Sequence, residues 1–265
     1  PFLSRDVYAY LGQGELMRRG FPPYDTAVSA LPADGIVLQA VDPLWHNTIP
    51  PYGPLSLRVE HLAAIVGHGH EWAGILLFRV VAVLSVLAIV LLVRREAAPE
   101  RRDLLTWVAC SPLVLMHFIA AAHLDALMAA LAVAAIVLLR RGHLAWAAVL
   151  GVAAAEVKVT AGLVLIAMLV WLWQTQARQV AVRFAGFATA AGVAGFLLLP
   201  SDPLGWMWHL STPGLTWVPF TPSSTLLLIA THLAEVFGDP PSWLRGACLA
   251  VAAGLGLALA GWALR

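Results

Sequence analysis

An all-α fold, a polytopic transmembrane helix bundle, is what the sequence predicts, on three observations. Of its 265 residues 60% are hydrophobic and only 12% charged, and mean hydropathy is +0.81, whereas soluble domains carry roughly 25% charged residues. Apolar runs recur at lengths suited to a hydrocarbon layer of about 30 Å. Arginines collect in the short segments between those runs, as they do in cytoplasmic loops.

Each element follows from its local pattern. Residues 1–72 are polar and rich in turn residues, with prolines that forbid long regular elements. Only short interfacial helices are expected there, at about 5–19 and 54–67. An opening of this kind on the outer face is expected to follow a preceding span that carries it across. Spans are predicted at 73–93, 104–122, 124–139, 184–200 and 244–264. The apolar stretch from Leu144 to Trp173 is broken by Glu156, Lys158 and Thr160, and reads as two short helices, 144–156 and 160–174.

Charge sets the orientation. Arg94, Arg95, Arg101 and Arg102 crowd RREAAPERRD, Arg140 and Arg141 follow the third span, and Arg178 and Arg183 follow Trp173. All of these face the cytoplasm only if the Leu144–Trp173 stretch crosses twice, giving about seven spans. The domain reading is then a first extracytoplasmic loop at 1–72, six segments over 73–200, a second extracytoplasmic loop at 201–243 without any Lys or Arg, and a last span in 244–265. The location read from this map is the plasma membrane of a bacterium, with fifteen arginines to one lysine and abundant alanine pointing to a GC-rich genome.

Several classes are excluded. Sixteen basic against fifteen acidic residues leave no excess positive charge for a nucleic-acid backbone. Cys110 and Cys248 form no CxxC or Cys/His cluster. HExxH, GxSxG, Walker A and GxGxxG motifs are all missing from the sequence.

The topology gathers the costly residues on one membrane face: Asp6, His123 with Asp125, and Glu156 with Lys158. A charge at the bilayer centre costs about 2.5 to 3.5 kcal/mol on insertion scales, so such groups face a cavity or one another. Structural readings stand beside the functional ones. Ser4 or Asp6 could cap the first helix, and Asp125 could cap the helix that follows it. Lys158 could pair with Glu156, which requires a broken backbone because residues two apart do not face each other on a helix. Arg79 within ILLFRVVAVL either snorkels or is paired. His46 and His209, each beside a tryptophan, could be structural or solvated.

The opening SRDVYAYLGQGELMRRGFPPYD, then PPYGPLSL, AAHLDALMAALAV and GVAAAEVKVTAGLVL, in this order, resemble the polyprenol-phosphomannose-dependent α-1,6-mannosyltransferases of actinobacteria, within the GT-C glycosyltransferase superfamily. The likeness runs over essentially the whole chain. It implies a GT-C bundle and an acidic residue after the first span acting as base on the acceptor hydroxyl, a place Asp6 occupies. Where the family is usually asparagine-rich before the second aspartate, this chain reads His123, Leu124, Asp125.

The implied reaction moves a mannosyl or other hexosyl residue from a polyprenyl monophosphate to a glycolipid or glycan hydroxyl, with lipomannan-type glycolipid as the family acceptor. Asp6 is the expected catalytic base and Lys158 the cation for the leaving phosphate. Asp125, His123, Tyr8, Tyr52 and His209 complete the expected substrate-binding set. A β-linked donor giving an α-linked product would need one inverting displacement. No cofactor is expected, and a monophosphate leaving group does not demand a divalent metal. The partners are therefore the lipid-linked donor, the acceptor and membrane lipid. A multispan transporter or lipid-linked sugar flippase is the alternative, although its site would lie nearer the midplane. A structural membrane subunit would leave Lys158 and Asp125 without a task.

Overall fold

The structure is a computed structural model and describes residues 4–98, 100, 103–198, 204–210, 222–236, 238, 243–244, 246–248, 250–251, 254–255 and 258. Among the described residues it is all-helical. Two compact units divide after Thr212, and the first contains every element discussed below except the helix Pro222–Glu235.

Helices α1 (Asp6–Arg18) and α3 (Pro54–Val66) occupy the stretches read as short helices, with the short α2 (Ile36–Ala40) between them. Pro54 opens α3 at a first-turn position, where its missing N–H costs nothing. Gly14 lets α1 lie directly on α3, because a Cβ there would strike the Glu60 carbonyl oxygen. The long α4 (Glu71–Glu96) follows.

The expected continuous span at 104–122 is not continuous. It forms α5 (Asp103–Cys110) and then a π-helical turn, Val114–Ala120, with a break at Ser111. Pro112 explains the break, since it supplies no N–H to a preceding turn. The Ser111 carbonyl accepts from the Leu115 N–H instead, at 2.9 Å. The wider turn ends on an Ala121 N–H to Met116 O bond of 3.0 Å, five residues back.

The chain then bends by 112° into α6 (Asp125–Arg140). Ala122 sits in this bend at φ +54° with its side chain buried, a left-handed conformation that is costly for a residue with a Cβ. The stretch from Leu144 is two helices, as expected: α7 (Leu144–Val157) and α8 (Gly162–Thr175). Lys158 lies between them in extended backbone, at φ −152° and ψ 132°.

Helix α9 runs Arg178–Leu198, so Arg178 and Arg183 belong to its first turns and not to a loop ending at 183. Arg178 stacks over the Trp173 ring at 5.2 Å. In the second unit α10 (Pro222–Glu235) is a 14-residue helix within the segment read as the second extracytoplasmic loop. Proline opens this helix and does not interrupt it. Most of 201–221, and much of the expected span 244–264, lies outside the described residues.

Two helices, α4 and the Arg178–Phe196 part of α9, are long and apolar enough to cross a membrane, and the bent pair around 121–124 makes up to three. At 14 residues each, α7 and α8 rise only about 21 Å. Seven crossings is thus a finer statement than helix length supports. The surface is nonetheless one for lipid: Leu76, Val80, Leu84, Leu87 and Leu91 along α4, and Leu163, Ile166 and Trp173 on α8, are exposed. An uncovered apolar surface of this extent is rare on a water-soluble monomer.

Candidate active site

One core cluster lies beneath the candidate residues and explains their positions. It contains Val7, Tyr10, Leu11, Ala63, Ala64, Phe78, Ala122, Leu124 and Val157, all buried. Asp6 directly precedes Val7, His123 lies between Ala122 and Leu124, and Lys158 follows Val157. Each apolar neighbour anchors its segment and leaves the polar side chain on the rim of the core.

Asp6 begins α1 and does not cap it; Arg5 holds the cap position without a side-chain bond, and Ser4 Oγ accepts from the Asp6 backbone N–H at 3.1 Å. The Asp6 carboxylate turns elsewhere. Trp45 Nε1 donates to Oδ1 at 2.9 Å, while Oδ2 lies 3.7 Å from His123 Nε2. Arg5 holds this corner by clamping the C-terminal end of α2, with Nε on Ala40 O at 2.8 Å and Nη2 on Gln39 O at 3.2 Å and Val41 O at 2.8 Å. The carbonyls left open at the end of α2 thereby gain a cationic cap. Asp42 then accepts from the Leu44 N–H at 3.0 Å and turns the chain so that Trp45 reaches Asp6.

Lys158 does not pair with Glu156. Its Nζ donates to Asp125 Oδ1 at 2.8 Å and lies 5.9 Å from the centre of the Tyr52 ring. Asp125 is consequently not a side-chain cap of α6; the residue before it, Leu124, holds the cap position without a side-chain bond. Glu156 faces another way, lining a cleft of about 200 Å³ with Pro54, Val152, Phe196 and Trp206. The extended backbone at Lys158 sends the two side chains apart.

The PPYGP segment is docked on the same break. Gly53 N–H donates to Val157 O at 3.2 Å, and Tyr24 Oη donates to the Tyr52 carbonyl at 2.9 Å. Tyr52 meets Tyr10 edge-on, at 5.4 Å between ring centres. Burial raises the pKa of both phenols well above the ordinary tyrosine range. Both stay neutral donors at any working pH.

His123 completes the group. Nδ1 is 3.9 Å from Asp125 Oδ2, and its ring packs on His117 at 4.4 Å and edge-on to Tyr10 at 6.3 Å. Burial lowers its pKa below the usual histidine value; the Asp6 and Asp125 carboxylates pull it back up, and His117 and Lys158 push it down. Near neutral pH the imidazole is largely uncharged, and Lys158 is the cation of the group, held by Asp125.

Five of the expected residues therefore come together: Asp6, His123, Asp125, Lys158 and Tyr52. Tyr8 packs against the hydrophobic clusters on either side of α1. His209 ends the short turn Gly205–His209, half-buried, and among the described residues no hydrogen bond, ion pair or ring contact joins it to the five. His46 is held by its own loop, Nε2 lying 3.3 Å from Val41 O. Arg79 donates to Ala120 O at 3.2 Å and so braces the bend before His123. Among the described residues no group of three or more His, Cys, Asp and Glu side chains is arranged to hold a metal ion.

Residues 1–175 match the family model described as alpha-(1->6)-mannopyranosyltransferase, N-terminal domain. The chain belongs to this family. It is similar to alpha-(1->6)-mannopyranosyltransferase A of Mycobacterium tuberculosis, 33% identical over 182 residues that cover 68% of this chain and 35% of the relative. The protein of the same name from Corynebacterium glutamicum is 28% identical over 265 residues, covering 90% of this chain and 53% of the relative. Alpha-(1->6)-mannopyranosyltransferase B of that organism is 26% identical over 133 residues, 48% of this chain and 22% of the relative. The chain thus spans between about a third and about half the length of the two A-type relatives. No solved structure matches it.

As an α-(1→6)-mannopyranosyltransferase family member the chain carries all five clustered residues inside the matched segment. Trp45, Tyr10, His117 and Arg5 are parts of the same site that sequence reading missed. Arg5 beside Asp6 in SRD was the one local signal, and it says nothing of a partner 35 residues away.

Proposed function

We propose that this chain carries the reaction centre of a membrane mannosyltransferase that moves a mannosyl residue from a polyprenyl monophosphate to a hydroxyl of a glycolipid or glycan acceptor. The observation that carries the reading is the Asp6 carboxylate: Trp45 fixes Oδ1 at 2.9 Å, and Oδ2 is left without a hydrogen bond on a side chain 29% exposed. An oriented oxygen with room in front of it is what a general base requires.

In this reading the acceptor hydroxyl approaches Oδ2 and attacks the anomeric carbon as the phosphate leaves, in one inverting displacement. Lys158 stabilises the departing phosphate. Its ammonium has three N–H donors, of which Asp125 takes one, and the helix break places it without long loop excursions. Tyr52 supports the same cation. A lipid-linked donor keeps its tail in the bilayer and its phosphosugar at the surface, so the centre belongs on the extracytoplasmic face, with residues 1–72 and 201–243 on that side of a seven-span bundle of GT-C type. Tyr8 and His209 keep a substrate-binding assignment in this reading, outside the central cluster.

The test is transfer from radiolabelled polyprenyl-phosphate mannose in membranes containing the full-length protein. Asp6→Asn keeps the shape and the contact with Trp45, and should lower turnover by about a hundredfold or more. Activity within a few-fold of wild type sinks the base assignment. Movement of donor across the bilayer without product would favour a flippase.

A further inference from the structure

His123 has two nitrogens pointed at two carboxylates and a hydrogen bond to neither. Nε2 is buried without a partner, 3.7 Å from Asp6 Oδ2, and Nδ1 is 3.9 Å from Asp125 Oδ2, both beyond hydrogen-bonding distance. The ring has little freedom to improve on this. His117 lies against it, Tyr10 meets it edge-on, and Ala122 and Leu124 on either side are locked in the core. Arg79 of α4 fixes the turn that carries it.

An unpaired buried nitrogen beside a carboxylate is unfavourable in one protonation state and favourable in another. In the tautomer that carries its proton on Nδ1, toward Asp125, the Nε2 lone pair faces the lone pairs of an ionised Oδ2. Once Asp6 holds a proton, a shift of about 1 Å makes an O–H···N hydrogen bond, and the 29% exposed Asp6 side chain, not the packed ring, has the room to make it. The arrangement therefore offers an acceptor, Nε2, to a proton that reaches Oδ2.

We infer that His123 is the proton partner of Asp6: a positioning residue that strengthens Asp6 as a base and relays the proton onward, without touching the sugar. This rests on the reading of Asp6 as the base. The step balances without any further reagent. The acceptor O–H bond breaks as the new bond to the anomeric carbon forms, and the electron pair of the old C–O bond leaves with the phosphate. The proton goes to Asp6 Oδ2, then to His123 Nε2. The imidazolium so formed lies between the carboxylates of Asp6 and Asp125, and once product has left it returns the Nε2 proton to solvent by way of the part-exposed Asp6 carboxylate, restoring the start.

The groups facing the ring are Asp6 and Tyr10 from α1, His117 from the π-helical turn, Asp125 from α6 and Lys158 from the break. Burial and the two cationic or cationisable neighbours keep the ring uncharged near neutrality, the form with a free Nε2. Below its lowered pKa the ring is an imidazolium. It then pairs with ionised Asp6 and can accept nothing, so activity falls on the acid side.

The experiment is a pH series of kcat and KM in membranes of the full-length protein with polyprenyl-phosphate mannose, for wild type, His123→Asn and Asp6→Asn. His123→Asn should reduce plateau kcat about ten- to a hundredfold, the equivalent of one charge-assisted hydrogen bond, and shift the acid limb to lower pH. A profile that scales onto wild type at every pH, or a raised KM at unchanged kcat, overturns the inference. Full turnover in Asp6→Asn is the separate result that ends the base reading. Should His123→Asn not fold, ¹⁵N-histidine titration of Asp6→Asn replaces it: the His123 pKa must drop further below wild type, and an unchanged value overturns the inference.

Discussion

Replacing Gly53 by alanine tests whether the PPYGP segment is what holds Tyr52 under Lys158. Gly53 has φ −73° and ψ 170°, a conformation open to any residue, so the glycine is not needed for backbone freedom. It is needed for space: a Cβ would strike the Glu156 carbonyl oxygen, with the carbonyl carbon at 2.6 Å and the Cα at 2.9 Å. Carbon atoms pack at about 3.5 to 4.0 Å, so the segment must retreat from the break by roughly 1 Å. That retreat stretches the Gly53 N–H to Val157 O bond, now 3.2 Å, out of range. Loss of the bond costs about 0.5 to 1.5 kcal/mol, and overpacking a further ~1 to 3 kcal/mol. A displacement of this size near reacting groups costs up to about a hundredfold in rate. Thermal unfolding in detergent and mannosyl transfer are the two assays. Gly186→Ala is the control, since nothing lies within 4 Å of its Cβ and helix propensity favours alanine by about 1 kcal/mol. A Gly53→Ala protein with wild-type melting temperature and turnover would refute the docking argument.

Trp45→Phe keeps an aromatic ring but deletes the donor on Asp6 Oδ1. Turnover should fall about tenfold or more, and adding Asp6→Asn should cost little beyond Asp6→Asn alone because the two act as one unit; full additivity would contradict the pairing. Glu60 is fully buried, bonded by Ser56 at 2.9 Å, and burial pushes its carboxyl up to about 8 from the usual 4.5. The folded chain thus keeps a proton that the unfolded chain releases, and stability declines as pH rises from about 4.5 to about 8. Glu60→Gln removes that titration while keeping an acceptor for Ser56. Its melting temperature relative to wild type should rise from pH 5 to pH 8, and a difference independent of pH would disprove the buried acid.

How much of this was legible depends on the range over which each interaction acts. The helix break at Lys158 was readable, because Glu156 and Lys158 cannot both be accommodated in one apolar helix and the chain has to open somewhere between them. The break at Ser111 was not anticipated, although Pro112 carries the cause in plain view; an apolar run on both sides outweighed a single missing N–H. Asp6, His123, Asp125 and Lys158 could be gathered because the same charge argument applies to each separately. Their pairing could not. Lys158 has an acid two residues away and another 33 residues away, and only the extended backbone at the break decides for Asp125. Trp45 reaches Asp6 across 39 residues through a clamp and a turn whose parts look like ordinary loop residues.

The Lys158–Asp125 pair also bears on why a lysine persists in such an apolar stretch. Its side chain is only 31% exposed and that of Asp125 18%, so either charge alone would be left largely desolvated. Removing one partner from a pair this far out of water is costly mainly through the charge that remains. With no donor bound, Asp125 keeps Lys158 aimed from the break. In the proposed reaction an arriving phosphate would share the ammonium without moving it, since two of the three N–H donors are not taken by Asp125. A lysine already ordered by one anion loses less freedom on meeting a second. The same carboxylate faces the other nitrogen of His123, which links the group holding the cation to the group beside the base. Two residues two positions apart on one bend, His123 and Asp125, thereby connect α1 to the α7–α8 break. Bracing of that bend by Arg79, at the price of a left-handed Ala122, is consistent with strain held where side-chain aim matters.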